Sequence, residues 1–359
     1  MNPNSTYPPE GYSQSQRQRI NNRIFAQHRG QSSSFPSIGD AFVLRMSEKK
    51  KKETFSISSE TFSKSNHLIV TDNAGKKVLC LVQFHPLDPN HQPMDQTTHQ
   101  LSEIIKDLYS MNLNRPHVNN EFLIHGKMSC IGFRGGYEHQ KTAGFYTWCD
   151  DVTPEELQED QEIQRRLAGH DLVIQERVRH FSHSAYEENQ NILKEYGIPG
   201  WFDEDWMNAS KNPLFSNVVM TTNNFSNTPH KDPDQNPLTY GLFSYIGTKD
   251  GLPRRPPANV KGHAFRFPDF DCNLDFGTSP GIIEMMWPSS KVKHHTTPPP
   301  PELRTTMDLT HFGCSFQISN VLIQRAKLLK EMNQDQRQSR TVSRADRVSN
   351  WQARNQHNF

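Results

Sequence analysis

From Phe215 onward the chain repeats one pattern: a short apolar run, a few turn-forming residues, then another apolar run. Five such runs, at 218–222, 240–246, 263–267, 282–287 and 312–318, have strand length and are rich in β-branched and aromatic residues. Short strands at this spacing predict a small β-barrel or jelly roll, in which few edges stay unpaired. A helix from about Ser319 to Met332 closes the pattern, with Val321, Leu322, Leu328, Leu329 and Met332 expected to face inward.

Upstream, 67–71 and 78–84 are β-rich runs joined by Asp72-Asn73-Ala74-Gly75, a hairpin signal. Leu101, Ile104, Ile105 and Leu108 recur at helical spacing. Runs 121–125 and 128–133 read as strands around Gly126, and 143–148 as another. Thr153-Pro154-Glu155-Glu156 opens a helix with a capping hydroxyl, a proline at the first position and an acidic first turn. A second helix stops at Gly197-Ile198-Pro199. The acidic stretch WFDEDW (201–206) reads as a loop anchored by its two tryptophans.

The ends differ in character. Residues 1–36 are rich in Ser, Gln, Asn, Pro and Arg and cannot bury enough surface to offset their ordering entropy, which predicts disorder. Residues 334–359, with Arg337, Arg340, Arg344, Arg347 and Arg354 in polar surroundings, are expected to form a disordered basic tail. Between them lie an N-terminal α/β elaboration (37–125) and the strand-rich domain (126–333). Lys49-Lys50-Lys51-Lys52 reads as a solvated loop before it reads as a nuclear-import patch. The 40 basic and 39 acidic residues nearly cancel, so overall charge does not announce a nucleic-acid binder. Cys80, Cys130, Cys149, Cys272 and Cys314 are scattered without a CxxC pair, which signals neither a disulfide framework nor structural zinc. A reducing nuclear or cytoplasmic setting fits that usage. No apolar run approaches the roughly 18 residues that a membrane helix needs.

One constellation carries chemistry. In His230-Lys231-Asp232, two ligand-type side chains sit at i and i+2 and point to the same side of an extended segment. With 17 histidines and 39 acidic residues, chance supplies roughly two such triplets, so this one is weak evidence alone. A second element strengthens it: Lys293-His294-His295-Thr296-Thr297-Pro298 follows the apolar run 282–287. A jelly roll can bring both segments to one mouth. Two histidines and a carboxylate leave three positions open on a metal, the donor set of non-haem Fe(II) oxygenases. Spacing does not separate His294 from His295.

The pieces IGFRGGYE (131–138), HKD (230–232), YGLFSYI (240–246), LDFGTSPGIIEMMW (274–287), HHTTP (294–298) and FGCSFQI (312–318) together resemble the Tet-like 2-oxoglutarate–Fe(II) oxygenase domain of basidiomycete, rust-type fungi. The likeness covers roughly half the chain, from Gly126 to about Ile318. It implies an α+β fold: a double-stranded β-helix (jelly-roll) core with N-terminal strands and helices packed on it. It also implies Fe(II) held by His230, Asp232 and His294, with 2-oxoglutarate and O₂ as co-substrates. Relatives in animals act on the methyl group of 5-methylcytosine, which implies nucleic acid as partner, DNA before RNA, and a flipped base.

One position departs from the family. An arginine that pairs with the distal carboxylate of 2-oxoglutarate stands just before the FGxSxQI strand in the family, and here that place is His311. Replacing a bidentate, permanently charged partner by a single ring N–H weakens such binding by about 1–3 kcal/mol. Arg304 is the other cationic candidate for that carboxylate. The animal relatives also carry a cysteine-rich zinc region that this sequence lacks. Two further readings therefore stand beside the dioxygenase: a catalytically degenerate Tet-like domain that binds nucleic acid or protein, and a cupin-like metalloenzyme that uses no keto acid.

Overall fold

The computed structural model describes residues 24–25, 42–47, 54–59, 67–256, 262–301 and 308–355. In chain order its strands are β1 (Ile24–Phe25), β2 (Phe42–Met46), β3 (Phe55–Ile57), β4 (Leu68–Asp72), β5 (Val78–Pro86), β6 (Leu123–Gly135), β7 (Ala143–Phe145) and β8 (Asn217–Asn227). They continue with β9 (Thr239–Gly247), β10 (Pro253–Arg254), β11 (Ala264–Phe267), β12 (Cys272–Asp275), β13 (Gly281–Trp287), β14 (His295–Thr296) and β15 (Leu309–Gln317). The helices are α1 (Gln96–Leu113), α2 (Pro154–Phe181), α3 (His183–Tyr196), α4 (Asn320–Lys330), α5 (Gln334–Arg340) and α6 (Arg344–Asn355).

Two sheets form the jelly-roll core. The larger has the order β1-β2-β4-β5-β13-β9-β15-β8-β6-β7, with β10 added against β9; the smaller has the order β14-β11-β12-β3. Side-chain alternation divides the apolar residues between two packing layers. Phe243 and Tyr245 of β9, with Ile283, Met285 and Trp287 of β13, meet Phe265, Phe267 and Leu274 of the smaller sheet. The intervening residues Tyr240, Leu242 and Ile246, with Phe312 and Phe316 of β15, meet the helices through Leu101, Ile104, Leu108, Leu167 and Ile174. Because both faces are covered, β9 is buried at every position, and its sequence reads as one apolar run.

Local signals set the helix ends. Asp95 accepts from the Thr98 amide at 2.7 Å to start α1. Thr153 and Glu156 form a reciprocal capping box on α2. Gly197 ends α3 in the left-handed region at φ 62°, which a Cβ would disfavour. All five C-terminal runs are strands, the runs 121–125 and 128–133 fall on the single strand β6 with register irregularities near Gly126, and Trp201 and Trp206 anchor their loop.

Three expectations are corrected. Residues 334–355 of the expected disordered tail contain α5 and α6. Arg344 is buried at 2 % exposure and pairs with Asp160, which also pairs with Arg115 at 2.8 Å, while Trp351 packs on Trp148, Val152 and Leu157. These partners lie far away in sequence, so local composition could not show them. On α4 the inward face is Leu322, Ile323, Ala326 and Leu329, whereas Val321 and Leu328 are exposed, because the helix is rotated by about one position from the expected phase. Of residues 1–36, Ile24–Phe25 pair with β2, and the remainder lie outside the described residues, as does Lys49–Lys52. No helix among the described residues is long and apolar enough to cross a membrane.

Candidate metal centre

The segment between β8 and β9 is held by isolated backbone contacts, with Pro229 and Pro233 interrupting any longer ladder. Thr228 N–H donates to Phe122 O (2.8 Å), Asp232 N–H to Ser289 O (3.1 Å) and Gln235 N–H to Ile318 O (2.9 Å). Between them, His230 and His294 exchange both backbone hydrogen bonds, at 3.1 and 3.0 Å. The two histidines are thus antiparallel bridge partners, and the bridge brings the HKD and HHTTP segments together.

His230, Asp232 and His294 each offer a ligand atom, and these atoms lie within 4.8 Å of one another. His230 Nε2 is 3.4 Å from Asp232 Oδ1, and His294 Nε2 is 3.3 Å from Asp232 Oδ2. The opposite ring nitrogens face backbone carbonyls: His230 Nδ1 lies 2.8 Å from Thr228 O, and His294 Nδ1 lies 3.0 Å from Val292 O. A carbonyl only accepts, so Nδ1 of each ring carries a hydrogen and Nε2 of the neutral ring turns its lone pair toward the carboxylate. Lone pairs converging this way call for a cation or a proton between them, and a backbone carbonyl behind the ring is the usual support of a metal-bound histidine. Phe122 stacks on His230 (4.8 Å, 11°) and Phe265 on His294 (5.4 Å, 9°), which restrains both rings.

Electrostatics agree with that donor set. Burial pushes the Asp232 carboxyl up, but with no metal bound, protonated His230 and His294 rings donating from Nε2 outweigh it and hold the group well below the usual carboxylate range. Burial likewise opposes protonation of His230, and the Asp232 contact reverses the sign and raises it. The residues present fit a divalent metal with nitrogen and oxygen preference, Fe(II) among them.

A cavity of about 270 Å³ opens beside the three side chains. Tyr146, Phe225, Phe243, Phe265 and Trp287 give it aromatic walls, and Asn217, Asn227, Thr221, Ser315 and Gln317 give it amides and hydroxyls. No lysine or arginine is among its described lining residues. Asp234 lines it as well, 7 % exposed, with Oδ2 lacking a hydrogen-bond partner among the described residues. Burial first, and then the Asp232 charge, raise its pKa well above the ordinary value.

The remaining sequence candidates fall elsewhere. His295 is the first residue of β14; its Nδ1 lies 3.1 Å from Asn227 O, and it does not join the three-residue group. His311 is buried on β15, stacked on Phe276 at 4.1 Å, and does not line the cavity. Arg304 lies outside the described residues. Asp234, Phe122 and His263 were not singled out from the sequence. Only Asp234 had a usable signal there, since it continues the i, i+2 alternation of His230 and Asp232.

A jelly roll with two imidazoles and one carboxylate at the wall of a deep cavity defines a non-haem metal oxygenase of the facial-triad kind. The chain belongs to the Tet-like 2OG-Fe(II) oxygenase superfamily, whose sequence profile matches residues 93–299. No curated protein matches. Among solved structures, NgTET1 in complex with 5mC DNA is similar over 86 % of this chain and 92 % of that chain, at 11 % identity and TM-score 0.41. A prolyl-4-hydroxylase of Pseudomonas putida is similar over 67 % of this chain and 93 % of its own (9 % identity, TM-score 0.30). A prolyl hydroxylase of Trichoplax adhaerens, in complex with a hypoxia inducible factor peptide fragment, covers 69 % and 86 % (8 % identity, TM-score 0.29). Likenesses at these TM-scores say nothing about the substrate of this chain.

Proposed function

We propose that this protein is an Fe(II)- and 2-oxoglutarate-dependent dioxygenase that hydroxylates a methyl group on a modified nucleobase, with 5-methylcytosine in DNA the substrate to test first. The observation that carries the reading is the convergence of His230, Asp232 and His294 on one wall of an aromatic and amide-lined cavity. Iron, when bound, supplies O₂ activation coupled to oxidative decarboxylation of the keto acid.

The chain's own residues have separable tasks in this reading. His230, Asp232 and His294 hold the metal, and the carbonyls of Thr228 and Val292 keep both rings in the ligating tautomer. The aromatic wall excludes water and offers faces on which an extruded base can stack. Asn217 and Gln317 present amides to a base edge. Asp234 presents a buried carboxyl oxygen, Oδ2, to the same cavity as a further polar contact for the base. Such an enzyme would meet its substrate in the nucleus or cytoplasm.

The test is incubation of the Fe(II)-loaded protein with 2-oxoglutarate and a 5-methylcytosine oligonucleotide, with succinate and the oxidised base followed by mass spectrometry. Matched production of both, lost in Asp232→Ala, supports the proposal. Absence of both products across a panel of methylated bases refutes the substrate class.

A second reading has one observation in its favour: the absence of a cation from the described cavity lining. On that reading the domain binds a base or peptide without turnover, and oligonucleotide binding would be unchanged by removal of metal and keto acid.

A further inference from the structure

We propose that a lysine-lined groove, walled by the same loops as the metal cavity, holds the phosphate backbone of the nucleic-acid strand whose base enters that cavity. The inference rests on the nucleobase reading above for the identity of the strand.

Two loops build both places. In the loop between β8 and β9, Pro233 and Asp234 line the metal-side cavity, while Pro237 and Leu238 line a second depression of about 280 Å³. In the segment after β13, Trp287 belongs to the first cavity, and Pro288 and Lys291 belong to the second. Thr239 Oγ1 donates to Ser289 Oγ at 2.7 Å, and Asp232 N–H donates to Ser289 O at 3.1 Å. The loops are thereby tied to each other and to a metal ligand.

Lys76 and Lys77 reach the groove from the β4–β5 turn. There Asp72 Oδ1 accepts from both of their backbone N–H groups, at 2.8 and 3.1 Å, which fixes where the two side chains start. Lys291 N–H donates to Pro288 O at 2.9 Å. All three lysines are exposed. Lys231 and Lys293 flank the His230–His294 bridge and are exposed as well. Neighbours in an extended segment face opposite ways, so these two turn away from the metal. Among the described residues the lysine ion pairs are Lys106–Glu103 and Lys249–Asp308, and none of these five lysines has a carboxylate partner. Lys77 Nζ lies 5.8 Å above the Phe270 ring. Glu188 is the one acid among the described lining residues, so positive charge is in excess.

In a chain with 40 basic and 39 acidic residues, such a gathering is local and not a reflection of overall charge. Ammonium groups on flexible stems meet phosphates as point charges and read no bases. That suits a sequence-independent grip beside a pocket that takes the base. A free phosphate needs the groove alone. The continuation from Lys291 to Lys293 and Lys231 suits a polymer that carries a charge about every 3.4 Å along each strand.

The experiment uses the full chain without added metal or keto acid. It follows the fluorescence anisotropy of a labelled oligonucleotide carrying one 5-methylcytosine as salt is varied. The triple variant Lys76→Gln, Lys77→Gln, Lys291→Gln should lower the slope of log affinity against log salt by about 2–3. Its Kd should rise about tenfold to a hundredfold near physiological salt and meet that of wild type in high salt. Lys327→Gln with Lys330→Gln removes charge at the other end of α3, where Lys330 Nζ donates to Glu195 O, and should leave the slope unchanged. Neutral methylphosphonate linkages on one side of the modified base should reproduce the loss in wild type and add little in the triple variant. No binding by wild type at low salt, an unchanged slope in the triple variant, or an equal fall in both variants overturns the groove. Each of these leaves the dioxygenase reading to the succinate assay. Displacement of the oligonucleotide by polyglutamate of equal charge overturns the nucleic-acid occupant in favour of an acidic protein segment. Lysine-dependent binding without succinate or oxidised base defeats the dioxygenase reading and keeps the groove.

Discussion

Asp171 offers a quantitative test of how burial governs this protein. It lies within α2 at 1 % exposure, accepts from Trp201 Nε1 at 2.7 Å and from Gln175 Nε2 at 2.6 Å, and has no cation beside it among the described residues. Burial pushes its carboxyl from 3.8 up to about 6 against those two hydrogen bonds, and the charge of Asp203 adds to the rise. The folded pKa lies above the unfolded one, so this contribution to stability is complete below pH 3.8 and is lost as pH rises through 6. The loss amounts to about 3 kcal/mol at alkaline pH. In Asp171→Asn the amide oxygen keeps the Trp201 bond, but Nδ2 faces the donor of Gln175, at a cost of about 1 kcal/mol. The variant should therefore be about 2 kcal/mol more stable than wild type near pH 8 and about 1 kcal/mol less stable near pH 3. Urea unfolding across that range, with unchanged m-values, measures the difference. A stability difference that does not vary with pH would refute the reasoning, because it would mean that the carboxyl titrates normally in the folded protein.

Other expectations concern the site and its supports. Asp232→Ala removes the carboxylate of the three-residue group and should abolish stoichiometric Fe(II) binding, while His295→Ala should retain it; metal analysis after gel filtration distinguishes the two. Glu284, fully buried, joins Arg177 (2.7 Å), His85 (2.7 Å) and Tyr240 (2.7 Å), so Glu284→Gln should cost about 3–5 kcal/mol in chemical denaturation. Burial opposes the ionised form of Glu284, but Arg177 and His85 depress its pKa strongly, so its stabilising contribution is present above the unfolded value of 4.5 and declines as pH falls below it. The stability lost between pH 7 and pH 3 should accordingly be larger for wild type than for a Glu284→Gln variant that folds, as read by circular dichroism. Arg344→Ala should release α6, seen as faster hydrogen exchange over residues 344–355 with little change in β9.

Much of this architecture was legible along the chain because burial leaves a periodic trace. The apolar runs of β8, β9, β13 and β15, the caps of α1 and α2, and Gly197 each reflect a constraint within a few residues. The same-side placement of His230 and Asp232 follows from alternation alone. What sequence could not decide was which distant segments pair. Adjacent residues in a strand face opposite ways, so the choice of His294 over His295 was made by the bridge register with His230 and by no property of either side chain. The helical C-terminus depends on Asp160 and Trp148, Asp234 comes to face a cavity, and His311 meets His263 from the start of a strand in the other sheet. Local periodicity reports which side of a strand is dry, whereas the neighbour across the gap is chosen by the closure of the whole barrel.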